Sequence, residues 1–447
     1  MIRDTSARVC VIGAGPSGIT AGKNLLQAGL RNFVIYEKGD QVGGNWVYSP
    51  RLSHSSVFDT THIISSKALS QYDDYPMPED YPDYPSHKQL LAYFQGYANH
   101  FGVTDYIRFN TEVKKVEKQA DETWKITLGD STVEHFDYLL VANGHHWNPR
   151  MPNYPGEFSG QLLHSHDYKS AEPFKDQRVL VIGGGNSACD IAVETSRVSA
   201  FTAISMRRGY YIAPKFTMGM PTDVMNARIV HLPDFIRVLL LRISLRLSIG
   251  DYADYGLESP QHGPLQQHAT MNSELLYFIR HGKVYPRKDI ARFEGKTVHF
   301  VDGKAEDYDA IIAATGFIIT FPFFDEKFID FSEGDVPLYL RVMHPDHPSL
   351  FFIGLCQPLG CVWPLADMHA KLAANAIIGN YTPPAVADMR ERIAADVEGR
   401  KRQFIKAARH TIEVEFHKHL WALQREIPAN APQWDEKSAQ FSAMSSQ

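Results

Sequence analysis

The sequence predicts an α/β protein of two Rossmann-like domains, of the three-layer ββα type, with a small β-meander inserted. Three observations predict it. A strand, a glycine loop and a helix open the chain at Arg8–Gly18, RVCVIGAGPSG. The same unit recurs from Arg178, RVLVIGGGNSA. The 447 residues are also too many for one ordinary domain, so two or three are expected.

In the first unit, Val9 to Ile12 is a short apolar run of the kind that forms a buried parallel strand. Gly13, Gly15 and Gly18 follow at G-x-G-x-x-G spacing, with Pro16 and Ser17 between them. Gly13 permits the tight turn, Gly15 lets backbone approach a pyrophosphate, and Gly18 lets helix and strand pack closely. The phosphates then sit on the positive end of the helix. ITAGKNLLQAG carries the helical pattern to Gly29. Phe33 to Tyr36 is a second strand and ends in Glu37, 19 residues beyond Gly18, where an acid holds ribose hydroxyls. Alone, the glycine spacing is a weak signal. Strand, glycines, helix, second strand and acid together mark a dinucleotide-binding domain. Lys38 and then Val42, Gly43, Gly44, Asn45 and Trp46 follow. Paired glycines allow backbone to approach a flat ligand, and Trp46 offers a surface beside it; the alternative is a plain turn with a core tryptophan.

Composition narrows the function. A net charge of −6 and a pI near 6.4 exclude an obvious nucleic-acid binder. The chain enters a strand at once without a signal peptide, which fits a cytoplasmic enzyme. Its four cysteines suggest no disulfide framework. Cys10 and Cys189 fall in predicted core. Cys356 and Cys361 lack the glycine-rich setting of a flavin disulfide reductase pair. Phe235 to Ile249 is too short to span a bilayer and is broken by Arg237, Arg242 and Arg246. It reads as an amphipathic helix with a basic face packed on its own protein, with a membrane surface as the alternative partner.

Residues 50–86 are rich in Ser, Asp, Tyr and Pro, and the prolines from Pro76 to Pro85 forbid a regular helix. An ordered covering loop is expected, then a helix from His87. IRFNTEV, TWKITLG and the start of STVEHFDYLLVANG read as the meander, and Tyr138 to Ala142 rejoins the parallel sheet. HHWNPRMPN, residues 145–153, is a connector; its histidine pair lacks partners at metal spacing, so no metal is assigned.

The second unit has Gly183, Gly185 and Ala188 at G-x-G-x-x-A spacing, with Asn186 and Ser187 at the helix start. Its second strand, Ala203 to Met206, ends in Arg207 and Arg208, and Arg207 lies 19 residues after Ala188. One fingerprint thus ends in an acid and the other in a base. A carboxylate accepts from ribose hydroxyls and repels a 2′-phosphate; a guanidinium binds that phosphate. The first site suits FAD, the second NADPH over NADH. Residues 212–280 read as an insertion in the second domain. Thr297–Phe300 and Ala310–Ala314 are further strands, and FIITFPFF returns the chain to the first domain. Leu350–Leu355 is a strand, and Gln357–Gly360 a turn. Leu365–Gly379 is a helix whose N-terminus suits negative charge on a reduced flavin. The charged helical segment Ala387 to Glu426 packs outside or joins a dimer. The expected division is 1–148 with 310–447 for FAD, and 149–309 for NADPH.

F-x-G-x-x-x-H-x-x-x-F/Y/W, met by Phe158, Gly160, His164 and Tyr168, precedes the second fingerprint. With it, the chain resembles the flavin-containing monooxygenases over essentially its full length. The resemblance implies that NADPH reduces FAD, that NADP⁺ stays bound, and that the reduced flavin traps dioxygen as a hydroperoxide. One oxygen then passes to a soft nucleophile, an amine or sulfide of a small lipophilic compound. Baeyer–Villiger oxygenation of ketones, or flavin-dependent NADPH oxidase or reductase activity, are the alternatives on the same scaffold. It further implies an FAD set of Gly13, Gly15, Pro16, Ser17, Gly18, Glu37, Lys38, Gly44, Asn45, Trp46, Val113 and Gln357. The NADP set is Gly183, Gly185, Asn186, Ser187, Arg207 and Arg208. His164 couples the domains. Many members carry T-N-x-S/P-K, with the asparagine beside the flavin. Here Thr61-His62-Ile63-Ile64-Ser65-Ser66-Lys67 places Ile64 at that position, so His62, Ile64 and Ser65 are the candidate catalytic residues.

Overall fold

A largely parallel sheet grows from each glycine loop, with one antiparallel edge pair in the first. The computed structural model describes residues 5–51, 54–325, 327–329, 337–404 and 411–433. In the first unit β1 (Val9–Ile12) leads to α1 (Pro16–Gln27) and β2 (Phe33–Tyr36). β1 and β2 are parallel, with Val9 opposite Phe33 and Ile12 opposite Tyr36. All their residues are buried, which is why both read as unbroken apolar runs. Gly13 turns with φ 101°, a conformation L side chains avoid. A Cβ on Gly18 would lie 1.8 Å from the Gly13 carbonyl oxygen. Gly18→Ala is therefore expected to cost at least about 1–3 kcal/mol, read as a lower urea midpoint and less flavin-loaded protein.

The covering stretch carries α2 (Lys67–Ser70), buries Tyr72 and Tyr84, and delivers the chain to α3 (His87–His100); residues 52–53 lie outside the described residues. Ser86 and Gln89 close a capping box on α3. IRFNTEV divides. β3 (Ile107–Arg108) joins the first sheet beside β2, and Asn110 then turns at φ 51°. The meander is β4 (Val113–Lys118), β5 (Trp124–Leu128) and β6 (Val133–Phe136). β7 (Tyr138–Val141) returns to pair with β1.

The second sheet is built from β8 (Gln161–His164), β9 (Arg178–Ile182), then, after α4 (Asn186–Thr195), β10 (Phe201–Ser205). The inserted segment follows: β11 (Ile212–Ala213), β12 (Phe216–Thr217), β13 (Met220–Pro221), α5 (Thr222–Arg228), α6 (Asp234–Ile249), β14 (Thr270–Met271) and α7 (Leu275–Arg280). β15 (Val284–Arg287) re-enters the sheet. A second meander, β16 (Ile290–Glu294), β17 (Thr297–Phe300) and β18 (Ala305–Asp307), precedes β19 (Ala310–Ala313). The order is β15-β10-β9-β19-β8. β20 (Met343–His344) and β21 (His347–Phe352) complete the first sheet, ordered β20-β21-β7-β1-β2-β3. β22 (Gln357–Pro358), α8 (Trp363–Ile377), α9 (Val386–Gln403), β23 (Glu413–Val414) and α10 (Phe416–Glu426) end the described chain. Of the expected helical segment 387–426, residues 405–410 lie outside the described residues.

α6 forms as expected but does not present one basic face. Arg237 is buried and bonds Glu415 at 3.1 Å. Arg242 and Arg246 stay outside, among Phe235, Leu239, Ile243 and Leu247, the last 82% exposed. A buried guanidinium needs a carboxylate, and the partner lies far off in sequence on the C-terminal segment. Among the described residues no helix is long and apolar enough to cross a membrane.

The core carries buried neutral histidines. His369 Nδ1 accepts the Gly354 N–H at 3.2 Å, and its Nε2 lies 3.1 Å from His419 Nε2. Burial pushes His369 well below the ordinary histidine value and His419 to about 4. His164, buried in the second sheet, is likewise held at about 4. Unfolding lets each titrate near 6.5. This stability is therefore full above pH 6.5 and is lost as pH falls towards 4. His164 alone is expected to cost about 3 kcal/mol between pH 7 and pH 4, measured by urea denaturation across that range.

Candidate active site

Glu37 ends β2 and is buried. Its Oε2 accepts the Ala14 N–H and its Oε1 the Gly39 N–H, both at 2.7 Å, so the carboxylate ties the glycine loop to the strand end. Beyond it lies a hollow lined by Lys38, His54, Asn110 and Thr111. Lys38 is exposed, its Nζ 5.7 Å from the Trp147 ring. Val113 opens the meander beside this hollow and is buried. Gly15 and Gly44 bring two loops together: a Cβ on Gly44 would lie 2.9 Å from Gly15 Cα. Asn45 Oδ1 accepts the Ser56 N–H at 2.8 Å. Trp46 stands edge-on to Trp363, with centroids 5.5 Å apart, at the start of α8. Pro16 begins α1, and its carbonyl accepts the Tyr72 hydroxyl at 2.9 Å. Ser17 faces Gly354, where a Cβ would lie 2.3 Å from Ser17 Oγ. Gln357 stays in place by donating its N–H to the Ile412 carbonyl at 2.8 Å.

The second loop is held from above by the inserted segment. Thr270 donates its hydroxyl to the Gly184 carbonyl at 2.7 Å, and the Met271 N–H donates to Asn186 Oδ1 at 2.7 Å. Asn186 thus uses its side chain to seat β14. Ser187 is exposed. A Cβ on Gly185 would meet open space, leaving the loop free to receive a phosphate group. Arg207 and Arg208 part company at the end of β10. Arg207 is exposed. Arg208 is partly buried, its guanidinium 5.4 Å from the Tyr210 ring and its Nη2 3.4 Å from Gln267 Oε1. Arg208 Nε is buried with no partner among the described residues, a donor suited to an anionic group. These features fit two nucleotides.

Between the two bodies lies a cavity of about 170 Å³, its wall mostly apolar. Ile64, Ser65 and Cys361 line it from the first body, and Met225, Leu241 and Leu245 from the inserted segment. Ser65 Oγ lies 2.9 Å from Ser70 Oγ. Ser66 Oγ is buried without a partner among the described residues. His62 does not join Ile64 and Ser65. It is exposed, and its Nδ1 lies 2.7 Å from the Thr60 carbonyl oxygen, so the ring is engaged at the surface, outside the cavity lining. Cys356 and Cys361 are free and buried, and burial pushes their thiols up to about 12 and about 11. Among the described residues no cluster of metal-ligating side chains occurs. In the motif before the second loop, Tyr168 donates to Glu194 Oε2 on α4 at 2.9 Å. His164 packs edge-on against Phe317 of the returning connector, 5.2 Å away. Asp223, Gln267, Arg237 and Glu415 also reach the cavity; no spacing pattern marks them, and their one signal is membership of, or pairing with, the insertion.

Two glycine loops, each joining a buried strand to a helix in its own largely parallel sheet, define a two-nucleotide oxidoreductase architecture. A family model described as FMO-like, flavin-binding monooxygenase-like, matches residues 6–433, and the chain belongs to that family. It is 34% identical over 437 residues to flavin-containing monooxygenase 5 of Homo sapiens, covering 92% of this chain and 81% of that protein. It is 34% identical over 420 residues to flavin-containing monooxygenase 1 of Homo sapiens, covering 89% and 78%. Among solved structures, S-allyl-L-cysteine S-oxygenase from Allium sativum superposes with a TM-score of 0.71 at 23% identity, covering 98% of this chain and 92% of that one. Cyclohexanone monooxygenase bound to epsilon-caprolactone gives 0.70 at 16% identity, covering 94% and 97%. These two share the fold.

Proposed function

We propose that the protein uses NADPH and FAD to place one atom of dioxygen on a soft nitrogen or sulfur atom of a small lipophilic molecule. The observation that carries this is the apolar cavity walled by Ile64 and Ser65 on one side and by the inserted segment on the other. Residues 1–148 with 310–447 hold FAD: the Gly13–Gly18 loop and the N-terminus of α1 take the pyrophosphate, and Glu37 the ribose. Gly44, Asn45 and Trp46 border the ring. Bound FAD supplies hydride acceptance and dioxygen activation. Residues 149–309 hold NADPH, with Gly183, Gly185 and the start of α4 on the pyrophosphate and Arg207 on the 2′-phosphate. The chain itself orients these groups and keeps water from the reacting face, which the apolar lining does. The structural neighbour bound to epsilon-caprolactone shares this scaffold, and Ile64 offers no hydrogen bond where many members of the family carry asparagine. That favours ketone oxygenation as the second reading.

Purified holoprotein is mixed with NADPH and air, then with a thioether, a tertiary amine or a cyclic ketone. Sulfoxide or N-oxide formed in step with NADPH consumption is the expected result. Ester formed from the ketone alone selects the second reading. Stoichiometric peroxide with every substrate overturns both.

A further inference from the structure

Ile64 and Ser65 border the cavity, yet the backbone of the stretch from Ile64 to Ser66 is anchored from two bodies. Ile63 donates its N–H to the Pro85 carbonyl at 3.0 Å, and Lys67 donates to the Asp83 carbonyl at 2.8 Å. Both bonds stay within the covering stretch. The Ser66 N–H instead crosses to the inserted segment and meets Asp223 Oδ2 at 2.6 Å. Asp223 lies in the first turn of α5, and its Oδ1 accepts the Val224 N–H at 2.8 Å. Its carboxylate lines the same cavity as Ile64 and Ser65. A second contact backs it: Tyr84 donates to the Lys215 carbonyl at 2.5 Å, and its ring meets Phe216 edge-on, with centroids 5.3 Å apart.

We propose that Asp223 is a positioning residue for the stretch Ile64–Ser66, so that the inserted segment sets where this wall stands against the flavin. The proposal rests on the FAD assignment above. A charged acceptor suits this role, because carboxylate hydrogen bonds are shorter and roughly twice as strong as neutral ones. Removing Asp223 leaves the Ser66 N–H without its acceptor and frees the stretch to drift. An amide at 223 restores an acceptor of the same shape without the charge.

The test needs no turnover. FAD is titrated into apoprotein of the parent, Asp223→Ala, Asp223→Asn and Ser66→Pro, following flavin absorbance and fluorescence, with circular dichroism confirming the fold. Ser66 has φ −69°, which proline adopts, so Ser66→Pro removes the donor N–H and the hydroxyl at a compatible backbone angle, and circular dichroism checks that the constraint on Ser65 leaves the fold intact. Asp223→Ala and Ser66→Pro are each expected to weaken FAD about tenfold and shift its visible spectrum, with the double variant no worse than either. Asp223→Asn is expected to recover most of that loss. Parent-like affinity and spectrum in Asp223→Ala overturn the proposal. So does Asp223→Asn failing as badly as Asp223→Ala, because the charge would then be serving something other than the Ser66 N–H. If the parent binds FAD but oxygenates nothing, the functional reading fails while the titration still decides this one.

Discussion

Replacing Arg207 by alanine is expected to lower kcat/KM for NADPH by about 10- to 100-fold and to leave NADH nearly unchanged. On the proposed assignment, the lost interaction is a charge-assisted contact to the 2′-phosphate, worth about 1.5–3 kcal/mol. NADH has no such phosphate, so the change falls on the ratio of the two coenzymes. Arg207 is the arginine whose guanidinium stands exposed at the end of β10. Arg208 differs, because it already leans on Tyr210 and Gln267. Arg208→Ala should therefore shift the ratio less and disturb Gln267 in the cavity wall more, raising the KM of the oxygenated substrate. Rising salt should weaken NADPH binding in the parent and matter less in Arg207→Ala, since exposed charges are screened. An unchanged coenzyme ratio in Arg207→Ala would remove the phosphate assignment.

The largest stability effect is expected at the ion pair joining the insertion to the C-terminal helix. Arg237 and Glu415 meet at 3.1 Å with both side chains only 7% exposed. Removing one partner of such a pair costs about 3–5 kcal/mol, because the other charge stays buried alone. The two ends are not equivalent. Arg237 keeps a second bond to Asp234 at 3.1 Å, whereas among the described residues the Glu415 carboxylate keeps only backbone help from the Lys418 N–H at 2.7 Å. Arg237→Met should therefore cost more than Glu415→Leu. The double variant should recover most of the loss, since an apolar pair of similar volume replaces a desolvated ionic one. Urea denaturation of the four proteins closes the cycle. Additive losses would show that the two charges do not act as a pair.

Where position follows from local spacing, the sequence is readable. β1, β2 and β9 are buried along nearly their whole length, so their apolar runs stand out, and Gly13, Gly18 and Gly183 in the loops that follow are forced by close approach. Glu37 and Arg207 are visible because a helix and a strand of ordinary length bring the residue at that offset to the loop. Long-range pairing is not readable. Arg237 resembles part of a solvated face because its partner lies 178 residues away. The meander β16–β18 shows in the sequence only as the strand Thr297–Phe300, since its outer strands alternate weakly and are half exposed. His62 and Ile64 lie two apart on one loop, and only the course of the backbone decides that Ile64 enters the cavity lining while His62 faces solvent. Asp223 acts through one backbone N–H, which leaves no trace in residue pattern.

The first sheet imposes an order on biosynthesis. β7 pairs β1 on one side and β21 on the other, with Leu139 opposite Leu350. About 200 residues, the whole second sheet among them, must leave the ribosome between those two partners. Until then β7 presents a bare, apolar edge, the feature most prone to pair with a foreign strand. The intervening sheet, complete from β8 to β19, can fold meanwhile and draw the two ends together, shortening the loop that β21 must close. The nested half would thus serve as a scaffold for its host, and a lesion that slows it should surface as aggregation of the first sheet during synthesis.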